Sequence, residues 1–227
     1  GAVLKSESTS FEVFVSPYSL GCSAVGELVS AENLIELEGR EIGGKILLLY
    51  GDIAKEQLMP KNFVFYNPEE HQKIISLLES GKPSAIITAT GRNAALAGGV
   101  YPFPLIEDGD FEIPSVYMTA EEGRKLLPFV GKPVVLESRA ARIPSRGCNV
   151  IAKKGEASNR RIVITAHIDA KKGTPGAIDN ATGVIVLLLL AELMRDYSGN
   201  TTIELVALNG EDYYSVPGQM LYIQQNK

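Results

Sequence analysis

RIVITAHIDAKKGTPGAIDNATGVIVLLLLAELMRDYSGNTTIELVALNGEDYYSVPG, residues 161–218, decides the fold. It opens on a β-branched run, Ile162 to Thr165, that ends at His167 and Asp169. A Gly/Pro loop follows, then Asp179, then an apolar helix expected over Ala181 to Tyr197. A second strand, Thr201 to Leu208, delivers Glu211 and Asp212. Strand, helix and strand make a βαβ unit, in which polar side chains gather where the strands end. A histidine and several acids brought to one sheet edge point to a metal site.

The totals bound what can surround that site. At 227 residues the chain holds one large or two small domains, with ample apolar content for real cores. The net charge of −5 and the lack of a basic block argue against nucleic acid as a partner. No apolar run approaches the roughly 18 residues of a membrane span, so none is expected. The first residues, GAVLKSESTS, contain no apolar core of a signal peptide. Cys22 and Cys148 are too few and too far apart for a disulfide framework.

Upstream, Gly43-Gly44 precedes ILLLY, a continuous apolar run that suits a strand buried on both faces. NPEEHQKIISLLES, residues 67–80, reads as a helix with Asn67 as N-cap and Ile74, Leu77 and Leu78 on one face. SAIITAT is the next strand. In IPSVYMTAEEGRKLLPFVG a strand leads to Thr119 as the cap of a short helix that ends before Pro128. VVLESRA is a further strand, and NVIAKKG with RIVITAH reads as an antiparallel pair. The domain boundary is expected near Ser138 to Pro144.

Each candidate site residue has a plainer reading. His167 alone would be a hydrogen-bonded residue at a sheet edge; Asp179 alone would be a helix N-cap, with Asn180 as good a cap. Glu211-Asp212 alone would be a solvated acidic turn. Their arrival at comparable strand ends favours chemistry instead. A neutral imidazole backed by a carboxylate is a good zinc ligand, and Asp169, two residues on, is placed to orient the ring. A carboxylate at 179 is suited to bridge two metal ions.

Two resemblances carry this further. GKILLLYGD, SAIITAT and IPSVYMTAEEGRKLL, in that order, resemble the protease-associated domain found beside several peptidase families, over about residues 1–138. HID at 167–169, GAIDNATG at 176–183 and NGED at 209–212 resemble the co-catalytic zinc aminopeptidase family that includes glutamate carboxypeptidases and the transferrin receptor. The resemblance implies an α/β chain: a protease-associated domain at 1–138, then the first half of a mixed-sheet zinc exopeptidase domain at 139–227. It implies that His167 ligates one zinc, Asp179 bridges two, Asp212 ligates the second, Glu211 is the general base and Asp169 supports His167. It also implies a cis peptide bond between Asp179 and Asn180. Asp212 stands where the family more usually has Glu.

The family pattern continues to a further acidic ligand and a final His. Here the only other histidine is His71, in the upstream domain. The expectation is therefore an incomplete site that holds at most one zinc, weakly, and is inactive alone. The expected activity of the complete protein is hydrolysis of a peptide substrate by an aminopeptidase. The alternatives are a carboxypeptidase of the same family, a non-catalytic binding relative and an unrelated nucleotide-binding α/β protein. The last lacks both GxGxxG and GxxxxGK[ST]. Val184 to Leu190, apolar right round, suggests a homo-oligomer formed through the C-terminal half.

Overall fold

The computed structural model describes residues 1–92, 100–156, 159–171 and 173–226. It divides into two compact units, Gly1–Ile143 and Pro144–Lys227.

Among the described residues of the first unit eight strands form one sheet: β1 Ala2–Ser6, β2 Thr9–Phe11, β3 Phe14–Val15, β4 Cys22–Ala31, β5 Ile46–Leu49, β6 Ala85–Thr90, β7 Ser115–Thr119 and β8 Pro133–Ser138. Their order is β2-β1-β8-β4-β5-β6-β7-β3. The neighbours β4, β5, β6 and β7 pair in parallel, and the flanking pairs are antiparallel. Every residue of β5 and β6 is buried, as a parallel strand covered on both faces requires. Alternate side chains serve two cores. Leu47, Leu49 and Ile86 pack with Ile74, Ile75 and Leu78 of one helix, α2 (Glu69–Gly81), which follows the short α1 (Leu34–Glu38). Ile46, Leu48 and Ile87 pack with Leu126 of α3 (Ala120–Leu126) and with Val134 and Leu136.

Thr119 caps α3 by accepting the Glu122 N–H. Asn67 does not cap α2. Its side-chain amide donates to the Lys61 carbonyl at 3.0 Å, α2 begins after Pro68 without a side-chain cap, and it ends on Lys82 in the left-handed region. His71 is buried, with its Nδ1 accepting the Met59 N–H at 3.0 Å and its Nε2 3.5 Å from Glu56.

The second unit contains β9 Val150–Lys154, β10 Arg161–His167, α4 Thr182–Leu193, β11 Thr202–Leu208 and α5 Pro217–Gln225. The βαβ unit is present: β10 and β11 run parallel, in register from Arg161↔Thr202 to His167↔Leu208. The expected hairpin of β9 with β10 is not. β11 lies between them and pairs antiparallel with β9. Burial explains the order. β11 sends Ile203 and Leu205 against Leu187 of α4, and Val206 and Leu208 against Tyr222 of α5. A strand buried on both faces needs its main chain satisfied on both edges. β9, exposed throughout and ending in Lys153-Lys154, suits the edge.

Candidate metal centre

Both parallel strands end at the same level, and the site gathers there. His167 is the last residue of β10 and only 8% exposed. Its Nδ1 lies 3.0 Å from the Asp169 carbonyl oxygen, which only accepts, so Nδ1 carries the proton and donates. Nε2 is thereby turned toward Asp179 Oδ1 at 2.9 Å and Glu211 Oε2 at 3.6 Å. Two carboxylates facing one ring nitrogen require a cation between them, either a proton on the ring or a metal ion. Burial pulls the His167 pKa down, but the Asp169 carbonyl and the charges of Asp179, Glu211 and Asp212 outweigh it, and the net direction is up.

Asp169 supports this arrangement differently from the expectation. Its carboxylate is 3.9 Å from the ring, and the direct bond to His167 is through its backbone oxygen. The carboxylate instead receives three main-chain N–H groups across the sheet end: Gly210 at 2.7 Å and Glu211 at 3.1 Å on Oδ1, and Asp212 at 3.0 Å on Oδ2. Gly210 turns the chain there at φ +86°, in the left-handed region that favours glycine. One acid after β10 thus holds the NGED turn after β11.

Asp179 precedes α4, and its side chain is 78% exposed. At the start of α4 it is Asn180 whose Oδ1 accepts a main-chain N–H, that of Gly183 at 3.0 Å, and the Asp179 carboxylate faces His167 instead. The Asp179–Asn180 peptide bond is cis. Glu211 and Asp212 both have pKa values pushed up, first by burial and then by repulsion from neighbouring carboxylates.

Ligand atoms of His167, Asp169 and Asp212 lie within 4.8 Å of one another. With Asp179 at 2.9 Å from His167, the donor set is one imidazole and several crowded carboxylates, the chemistry that zinc accepts. Of the acids, Asp169 is the one already bound to three N–H groups.

Residues 149–226 match Peptidase family M28. This bears out the family resemblance read from the three motifs. Uncharacterized protein YfbL of Escherichia coli strain K12 is 39% identical over 72 residues, 28% of this chain and 22% of that protein. The zinc aminopeptidase BSAP from Bacillus subtilis has a similar fold, with TM-score 0.66 and 18% identity, over 98% of this chain and 51% of that one. The aminopeptidase from Aneurinibacillus sp. strain AM-1 gives TM-score 0.61 and 22% identity, over 99% and 52%. The chain therefore spans about half the length of these solved structures and about a fifth of the curated relative. The mixed α/β fold is that of the zinc aminopeptidases.

Sequence reasoning missed two things in the segment that matches Peptidase family M28. One is α5, which Pro217 at a first-turn position signals. The other is Asn149, whose side chain bonds to both ends of the turn that carries Glu211 and Asp212.

Proposed function

We propose that the chain is part of a zinc-dependent exopeptidase, an aminopeptidase, acting on peptide substrates with a water activated between two metal ions. The observation that carries the reading is the convergence of His167, Asp179, Glu211 and Asp212, from three separate motifs, on one sheet edge. In this reading His167, Asp179 and Asp212 hold metal and Glu211 does not. Zinc bound there supplies Lewis acidity, lowering the pKa of a water and polarising the scissile carbonyl. Glu211 would act as general base toward the attacking water and return the proton to the leaving amine; its raised pKa brings it nearer the range in which a general base works well at neutral pH. Asp169 keeps both Glu211 and Asp212 in place through their N–H groups. The first unit is read as a protease-associated domain.

For the 227-residue chain alone the proposal is at most one zinc, held weakly, and no turnover. Self-association is part of the reading: α4 exposes Ile185, Leu188, Leu189 and Leu193, a face that a second copy would cover. Among the described residues no helix is long and apolar enough to cross a membrane.

The test uses the longest native polypeptide containing this chain. Glu211→Gln keeps the shape and removes the base, so kcat on a peptide with a free amino terminus falls by about 10²–10⁴ while zinc content stays near normal. Hydrolysis of the same peptide is abolished by blocking its amino terminus. Nearly full activity in Glu211→Gln rejects the base assignment. Preference for the amino-blocked peptide rejects the aminopeptidase.

A further inference from the structure

The segment from Gly210 to Val216 joins β11 to α5 and carries Glu211 and Asp212. Asp169 grips it near its start. Both of its ends are held by one side chain, that of Asn149, immediately before β9. Asn149 Oδ1 accepts the Asn209 N–H at 2.9 Å, and its Nδ2 donates to the Gly218 carbonyl at 2.8 Å. The Gly218 N–H closes the set on the Asn209 carbonyl at 3.1 Å.

The position explains the residue type. β9 and β11 pair as far as Val150↔Ala207, and beyond that rung the side-chain amide of Asn149 continues the ladder in place of main chain. A carboxamide offers an acceptor and a donor side by side, as a peptide group does. Aspartate lacks the donor, and a hydroxyl is too short to span both partners. The neighbours leave no slack. A Cβ on Gly218 would lie 2.1 Å from the Asn209 carbonyl oxygen and 2.5 Å from Asn149 Oδ1. One on Gly147 would lie 2.6 Å from the Asn209 side-chain nitrogen.

We infer that Asn149 is a positioning residue for the metal centre: it staples residues 209 and 218 together and so holds Glu211 and Asp212 against the Asp169 carboxylate. Its consequence for metal binding rests on the function proposed above; the staple itself does not. Asn149 touches neither metal nor substrate in this assignment and acts only through the segment it closes.

The test measures amide hydrogen exchange by NMR in the metal-free 227-residue chain, then cobalt(II) binding by its visible absorption. In Asn149→Ala the Gly210, Glu211 and Asp212 amides are expected to exchange about 10–100 times faster, the loss expected when two hydrogen bonds to part-buried main-chain groups are removed together. The amides of β10 and β11 keep wild-type rates. Asn149→Asp, which keeps only the acceptor, gives the same selective pattern and serves if the alanine variant does not fold. Glu192→Gln, on the exposed side of α4, leaves those three amides unchanged. Cobalt affinity falls by a similar factor in both Asn149 variants, with an altered spectrum, and not in Glu192→Gln. Unchanged exchange at the three amides, or equal acceleration throughout the unit, overturns the staple. Failure of the wild type to take up cobalt overturns the metal reading, and the exchange pattern still decides the staple.

Discussion

Tyr222 on α5 donates to Glu204 in the middle of β11 at 2.6 Å, and Glu204, 1% exposed, also meets Lys153 at 2.7 Å and Arg161 at 3.6 Å from the two neighbouring strands. The perturbation considered is Tyr222→Phe. Burial, with the hydrogen bond to and charge of Glu204, pushes the Tyr222 pKa up to about 12, against about 10 in an unfolded chain. The folded state therefore favours the protonated phenol. That contribution is fully present below about pH 10 and is lost as pH rises through about 12; two pKa units correspond to about 2.7 kcal/mol. At neutral pH the phenylalanine variant is expected to be less stable by about 1.5–3 kcal/mol, because a bond to a buried carboxylate is gone. Between about pH 10 and 12 the wild type then loses its advantage and the two proteins converge. The assay is urea unfolding of both proteins by circular dichroism across that range. Tyr50 and Tyr117 are also pushed up by burial and nearby carboxylates, so the difference between the two proteins is the diagnostic quantity. A stability difference that stays constant from neutral pH to about pH 12 would refute the coupling of Tyr222 to Glu204.

On the acid side, burial raises Glu204 but Lys153, Tyr222 and Arg161 outweigh it and hold its pKa low. Its contribution is present above the unfolded value of about 4.3 and lost as pH falls through the folded one; Glu204→Gln should flatten the acid limb of a stability profile. His167→Ala and Asp212→Ala should each abolish zinc uptake by the chain in titration calorimetry, and two tightly held ions per wild-type chain would contradict the ligand set. Gly123→Ala would place a Cβ 2.4 Å from Ala89 Cβ on β6. Overpacking of about 1–3 kcal/mol should exceed the roughly 1 kcal/mol gained in helix propensity, giving a lower melting temperature for the first unit. Sedimentation velocity should show dimers or larger species at micromolar concentration, and a clean monomer would reject α4 as a self-association face.

Much of this protein is legible in local sequence because the features are local. The β-branched run into His167, the apolar α4 and the strand into Glu211 specify a βαβ unit by periodicity and length alone. Thr119 caps α3 because its hydroxyl reaches an amide three residues on. ILLL reads as doubly buried because no polar residue interrupts it. The convergence of His167, Asp179, Glu211 and Asp212 is legible too, since parallel strands of one βαβ unit end on one edge.

What the sequence left open is whatever depends on partners distant along the chain. β9 and β10 are neighbours in sequence, yet β11 comes between them, because a strand buried on both faces takes the place where both of its edges are paired. Asn67 has the right type and position for a cap, but tertiary structure offers its amide the Lys61 carbonyl instead. Asp169 reads as a companion of His167 two residues away, and its carboxylate is spent on amides 41 to 43 residues downstream. Asn149 carries no motif at all, because its partners, Asn209 and Gly218, are 60 and 69 residues away. Side-chain chemistry pointed to the candidate metal ligands. Which backbone amides hold them there was decided only when the three strands came together, since a hydrogen bond is set by distance and direction in space and leaves no period in the sequence.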